Sequence, residues 1–345
     1  MLTQYKARLL SAAVLLVALA AAAAPPAAKY TLKFATLAPE GSAWMVKFDE
    51  VKKEVSEATG GQVLIKSYPG GVLGEEKDVL FKAKVGQVDG GGFMGYGVST
   101  ICPAARAMMM PLTFDSFEEV DAVFAKMMPY LETECVQHNF VALGWTEVGF
   151  NYVYSAKPVR GLADLRAAKP WSIPNDETMT ALFNAGKVST ILVPVGDVLT
   201  ALQTGLIETI YSPPLAAVAL QWFTKVKYRN DLRLLYTFGG LFVARSSWEK
   251  IPADLRARIS EICHRRMSEL TQQVRKSNEE ALDVMAKNGI QVVTASEQDV
   301  RDFDNLSRTA VDNLKGTVFS AESWDLVRKY LAEFRAGKQG PGHGP

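Results

Sequence analysis

A regular change of hydrophobic period after residue 29 limits this chain more than any other feature of its sequence. In "KYTLKFATLAPEGS", Tyr30, Leu32 and Phe34 alternate with polar residues, the period of a strand. Ser42 then stands where a helix cap belongs. Trp44, Phe48, Val51 and Val55 recur at helical spacing until Gly60 and Gly61 stop the helix. "QVLIKSYPGG" predicts a second strand, and "GEEKDVLFKAKVG" a second helix that ends at Gly86. This β-α-β-α succession predicts an α/β lobe. "FVALGW" and "FNYVYS" predict two further strands. After "PWSIP", Asn175 can cap the helix "DETMTALFNAG". "STILVPV", "GDVLTALQTG" and "IETIYSPP" continue strand, helix, strand, and "DLRLLYTFGG" and "LFVARSS" predict a strand pair.

From Pro252 the pattern becomes helical for about ten turns. Leu255, Ile259, Ile262, Leu270 and Val274 mark its apolar face. Such a length is either a spine crossing two lobes or a helix that breaks near Lys276. A strand, "IQVVTAS", and two helices follow, and "GKQGPGHGP" predicts a disordered tail. A chain of 345 residues fits two domains, or one domain with two lobes. The net charge is +1, with lysines and arginines scattered among acids, which argues against a nucleic-acid partner.

The first thirty residues pair a short basic start (Lys6, Arg8) with an apolar run and then small residues, the pattern of a secretory signal peptide. Cleavage is expected between Ala24 and Ala28. The rival reading, a membrane anchor, suffers because the run from Leu9 to Ala24 is short and alanine-rich for a span of about 20 residues. No cysteine lies near the cleavage region to carry a lipid, and no later segment is long and apolar enough to span a bilayer. The mature protein is therefore expected to be soluble and periplasmic. Cys102, Cys135 and Cys263 lack metal-like spacing, and the three histidines are isolated, so no metal site is expected. The cysteines predict either one disulfide with a spare thiol or three buried thiols.

"GGGFMG", residues 90–95, matches the letters of a dinucleotide loop but lacks the strand before it and the helical pattern after it. Its glycines are expected to allow close backbone approach or a turn, and no cofactor is implied. The pairs Glu75-Glu76 and Glu118-Glu119 fall on predicted helices and read as solvated faces. No hydrolase or Walker motif occurs. Phe93, Tyr96, Trp145, Phe150, Tyr152, Tyr154, Trp171, Tyr211 and Trp222 fall near predicted strand ends, where α/β sheets bind ligands. Packing in the core is the other use for such rings.

Five segments, "FATLAPEGSAW", "YPGGVLGEEKDVLFKAKVGQVD", "MPLTFDSFEEV", "GFNYVYSAKPVRGLADLRAAK" and "VPVGDVLTALQTGLIETIYSPP", together resemble the solute-binding subunits of TRAP transporters, the DctP-type proteins. The resemblance implies two α/β lobes of a periplasmic-binding-protein fold, with mixed sheets, crossing hinge strands and a long spanning helix, closing on a small ligand. It implies delivery to a membrane permease and no enzymatic activity. The implied division is a signal peptide over 1–28, lobe I over 29–150 with about 240–265 returning to it, and lobe II over 151–239. A long helix and C-terminal helices then cover 252–336, before a tail over 337–345.

The family's ligand-gripping arginine, in a strand reading roughly K-I-R-V-P, is replaced here by Trp171 in "AAKPWSIP". A second family arginine corresponds to Asn151, and the family's D-G-x-E-N-P becomes "ETIYSPP", with Tyr211 and Ser212 in place of a carboxylate and an amide. The expected site comprises Trp171, Tyr211, Asn151, Trp145, Glu147, Phe93, Tyr96, Ser212 and Phe150. Losing both arginines removes charge-assisted grips of about 1.5–3 kcal/mol each. The expected ligand is therefore apolar or aromatic, against an indole that supplies a flat wall, a cation–π face and an N–H. In this the chain resembles the arginine-lacking branch associated with tetratricopeptide-repeat proteins. Three alternatives accompany this reading: a carboxylate bridged by calcium or met by Lys33, Arg106 or Lys169; a periplasmic lipid carrier that hands cargo to a partner protein; and a secreted enzyme using Glu147 or Glu208. Trp171 packed in the core is the bland alternative for the indole.

Overall fold

The computed structural model describes residues 28–338. The expected signal peptide and most of the expected tail lie outside these residues. Among the described residues, no helix is long and apolar enough to cross a membrane.

The first strands and helices follow the sequence pattern closely. Strand β1 (Tyr30–Thr36) leads to helix α1 (Ala43–Ala58), capped by Ser42 Oγ, which accepts from the Met45 N–H. Strand β2 (Val63–Tyr68) lies parallel to β1, and helix α2 (Glu76–Lys84) follows. Strand β3 (Gly90–Phe93) is parallel to β1 on the other side and antiparallel to a later strand. Its glycines are needed for contact. A Cβ on Gly90 would lie 2.1 Å from the Phe242 carbonyl oxygen, and one on Gly92 would lie 2.2 Å from the Trp44 ring. The "GGGFMG" segment is thus a tightly flanked strand. It does lead into a helix, α3 (Gly95–Ile101), which the sequence pattern had not indicated. Helices α4 (Pro103–Met108) and α5 (Phe117–Gln137) complete this part.

The two expected strands "FVALGW" and "FNYVYS" are one, β4 (Phe140–Ser155). It stays continuous because two register shifts, at Ala142/Gly144 and Glu147/Gly149, absorb its bending without ending it. Gly149 has φ +109°, a conformation costly for any residue with a Cβ. The expected pair "DLRLLYTFGG" and "LFVARSS" is likewise one strand, β9 (Leu235–Ala244), antiparallel to β4 from Phe140 to Asn151. Beyond Asn151, β4 leaves β9 and pairs with two other strands.

Those belong to a second sheet. Helix α6 (Leu162–Ala167) precedes β5 (Trp171–Ser172), helix α7 (Glu177–Ala185) and β6 (Ile191–Leu192), which runs parallel to β5. Helix α8 (Val198–Gln203) and β7 (Thr209–Ser212) follow, and β7 pairs with Tyr152–Ser155 of β4. Helix α9 (Pro214–Ala219) and β8 (Tyr228–Asn230) come next, β8 pairing with the end of β4. A parallel bridge between Pro170 and Thr209 joins β5 to β7. The fold is therefore two-lobed and α/β, with β4 running from one mixed sheet into the other.

After the short helix α10 (Arg245–Trp248), helix α11 (Ala253–Lys287) runs 35 residues without a break at Lys276. It packs on α1, on β4 and, toward its C-terminus, on α9. Asn278 pins the crossing. Its side chain donates to the carbonyls of Val148 (3.1 Å) and Val274 (3.0 Å) and accepts from the Leu215 N–H (2.9 Å). Strand β10 (Gln291–Val293) adds to β8, and helices α12 (Glu297–Leu314) and α13 (Ala321–Lys338) pack on α7 and α5. All three cysteines are buried free thiols.

Candidate ligand-binding site

The carboxyl ends of β1, β3, β5 and β7 open onto one cavity of about 340 Å³, within the usual range for small-molecule sites. Leu37 follows β1. Met94, Gly95 and Tyr96 follow β3, Ile173 to Asp176 follow β5, and Ser212 and Pro213 close β7. Backbone that turns from a strand into a helix at these points presents helix starts and caps to the cavity. The wall is mainly apolar, with Met109, Met179, Val195, Leu220 and Trp222 among its members.

Trp171 and Tyr211 stand on neighbouring strands and stack with ring centroids 5.1 Å apart, and Trp222 meets Trp171 edge-on at 5.4 Å. Trp171 lines the cavity yet is only 2% exposed. Its Nε1–H donates to the Val193 carbonyl at 2.8 Å, so the expected free N–H is already committed to the protein. The indole thus borders the cavity while most of its ring is packed. The Tyr211 O–H donates to Asp176 Oδ2 at 3.0 Å. Asn151 donates to Thr237 Oγ1 at 2.8 Å, and the Ser212 hydroxyl donates to the Pro213 carbonyl at 3.0 Å. With Tyr96, these are the expected residues that the cavity gathers.

Phe93, Trp145, Glu147 and Phe150 lie away from it. Phe93 packs against Phe242 and beneath Gly97. Trp145 is wedged between Phe124 and Phe242. Phe150 packs on Phe117 and Tyr236. Glu147 accepts from the Arg275 Nε–H at 3.0 Å and from the Tyr236 O–H. Arg275 also reaches Asp121 and lies over the Phe117 ring at 4.5 Å. A strand's alternate side chains face opposite sides, and those of Trp145, Glu147 and Phe150 on β4 belong to sides filled by α5 and α11. Glu208, the other acid considered for catalysis, is paired at the surface with Lys157 and Lys169.

Of the three candidate cations, Lys33 is exposed, Lys169 is tied to Glu208, and Arg106 lines the cavity. Arg106 is buried on α4. Its Nη1–H donates to Thr178 Oγ1 on α7 at 3.1 Å, Nη2 lies 4.0 Å from the exposed Glu177 carboxylate, and Nε has no partner. Burial pulls its pKa below the ordinary value, opposed by the charges of Asp176 and Glu177. Its sequence signal is a lone charge in the apolar run "ICPAARAMMMPL".

Three acids line the wall, Glu76, Asp176 and the exposed Glu75, beside the exposed Lys77, and none of them was expected there. Glu76, expected to be solvated, is buried. It accepts from the N–H groups of Met94 (2.5 Å) and Gly97 (2.7 Å) at the start of α3. Burial raises its pKa to about 7 against those two hydrogen bonds. Asp176, rather than Asn175, caps α7 and accepts from the Met179 N–H at 3.1 Å. Burial raises its pKa too, while Met179 and Arg106 hold it down. Among the described residues, no group of three or more His, Cys, Asp or Glu side chains converges in a metal-like arrangement.

Residues 34–316 match the family model described as "Bacterial extracellular solute-binding protein, family 7", DctP. A solute-binding protein of Roseobacter denitrificans is 27% identical over 231 residues, covering 66% of this chain and 70% of its own length. A TRAP periplasmic solute-binding protein of Ochrobactrum anthropi is 23% identical, with a TM-score of 0.79 over 90% of this chain and 97% of its own. One from Desulfovibrio salexigens, solved with bound orotic acid, has a TM-score of 0.80 at 20% identity and covers 89% of this chain and 99% of its own. The family and these relatives are solute receptors, not enzymes, which sets aside catalysis by Glu147 or Glu208. With 283 consecutive residues inside the family model and both lobes matched, the chain belongs to the DctP family of bacterial extracellular solute-binding proteins.

Proposed function

We propose that this receptor captures a small organic acid with an apolar or aromatic body, and that Arg106 takes the carboxylate in place of the family's missing arginine. TRAP solute-binding proteins take small-molecule ligands and work with membrane permease subunits. The finer reading rests on one observation. A buried guanidinium with a partnerless Nε stands in a mainly apolar wall. Its nearest paired carboxylate, Glu177, is exposed and 4.0 Å from Nη2, and a carboxylate that arrives with the ligand supplies a closer, hydrogen-bonded partner for the Nε–H.

A wholly apolar ligand would leave the buried Nε–H unpartnered, so the expectation of a hydrophobic ligand is kept here only for the body of the molecule. Solved relatives carry acids, among them D-glucuronate in the Pseudomonas putida protein and L-galactonate in the Roseobacter denitrificans one. For the same reason the lipid-carrier alternative is not favoured. Handover to a tetratricopeptide-repeat protein rests on Trp171 standing in the arginine's place and on no other feature. In this reading, residues 29–150 with about 240–265 form one jaw and 151–239 the other. The segment 252–336 bridges and packs on both, after export directed by residues 1–28.

The test is mass spectrometry of small molecules released by organic solvent from the purified protein and from an Arg106→Gln variant. A carboxylic acid held by the native protein and lost from the variant is the expected result. A neutral apolar molecule held equally by both overturns the reading.

A further inference from the structure

Arg106 on α4 and Asp176 at the cap of α7 carry opposite charges beside each other on one cavity, yet no ion pair joins them among the described residues. The guanidinium turns to Thr178 and, distantly, to Glu177. Asp176 accepts from Met179 N–H through Oδ1 and from Tyr211 O–H through Oδ2. A carboxylate has about four acceptor positions, so Asp176 keeps capacity for a further donor.

This arrangement narrows the ligand. A carboxylate that reaches Arg106 also arrives beside Asp176, and two like charges in a desolvated site repel. A ligand with its own cation next to its carboxylate removes that repulsion and gives Asp176 a donor. Glu76 is less suited to that role, because the charge of Arg106 acts on Asp176 and not on Glu76, which places Asp176 nearer the carboxylate. The rest of the wall around Trp171, Trp222, Val195 and Leu220 offers contact only to an apolar group. We propose that the ligand is a zwitterionic amino acid with an apolar or aromatic side chain, its carboxylate on Arg106 and its ammonium on Asp176. The inference rests on the carboxylate reading above and adds the second charge.

Calorimetric titration of the intact protein with L-phenylalanine, 3-phenylpropanoate and 2-phenylethylamine tests it, since the three share a ring and chain and differ in their charges. L-Tryptophan, indole-3-propionate and tryptamine repeat the comparison at larger size. The same titrations with Asp176→Asn follow, because asparagine caps a helix as well as aspartate does and spares the fold. An amino acid should bind at least about tenfold more tightly than its deaminated acid, a difference of roughly one charge-assisted contact. That ratio should fall to near one in the variant. A deaminated acid that binds as tightly as the amino acid overturns this inference and leaves the carboxylate reading standing. Preferred binding of the amine, unchanged by Arg106→Gln, overturns both. Failure of both amino acids to bind also overturns the inference.

Discussion

Glu76 shows how much one buried side chain can set the behaviour of a cavity. It sits at the first position of α2 and closes the start of α3, with its carboxyl desolvated and its pKa raised to about 7 from 4.5. The folded chain holds this proton more tightly than the unfolded chain does. Its contribution to stability is therefore complete below about pH 4.5 and is lost as pH climbs through about 7, on the order of 3 kcal/mol across that window. Glu76→Gln cannot titrate and loses one of the two accepted hydrogen bonds. Urea midpoints measured from pH 5 to 8 should fall with pH in the native chain and run flatter in the variant. An equal slope in both would remove Glu76 as the cause. The residue scale is also where the sequence was least legible. Charge-pair statistics place Glu75-Glu76 on a solvated face, and nothing local reveals that α3 will fold back over the second of them. Trp171 was legible as a wall residue but not as a donor already engaged with Val193.

At the scale of elements, β4 and α11 carry the connection between the lobes, and they meet around Glu147, Arg275, Tyr236 and Asp121. Glu147 is buried on the crossing strand, and burial raises its pKa while Arg275 pulls it back. Removing one member of such a cluster strands the others. Glu147→Ala should cost about 3 kcal/mol in urea unfolding. Arg275 keeps Asp121, which holds the loss at the low end of the usual range. A loss below about 1 kcal/mol would mean that the cluster is energetically idle. Hydrophobic period made the long helix legible from Pro252 onward, because its apolar face repeats regularly. It divided β4 and β9 into two strands each, since glycines inside a strand read as turns. Whether Gly149 ends a strand or bends it depends on partners that arrive from β9, where its register partner Thr237 lies 88 residues further on.

For the whole molecule, motif order was enough to identify the two-lobed architecture, because the five family segments each build a part of the cavity rim or its support. What it left out is how the walls are joined. Arg106 on α4 donates to Thr178 on α7, and in that contact it does the work of a clasp as well as an anchor. In the reading proposed above, an acid enters the cavity only when this contact between α4 and α7 opens. The empty receptor then spends part of its time latched, and the apparent affinity is reduced by the fraction that is unlatched. Association should therefore saturate: in stopped-flow tryptophan fluorescence, the observed rate should level off as ligand concentration rises, at the rate of unlatching. Thr178→Val should raise that plateau and quicken capture. A rate that climbs linearly without limit would mean that the contact imposes no delay. By this account the side chain that gives the receptor its grip also sets its tempo, and a tighter clasp would make it slower to load.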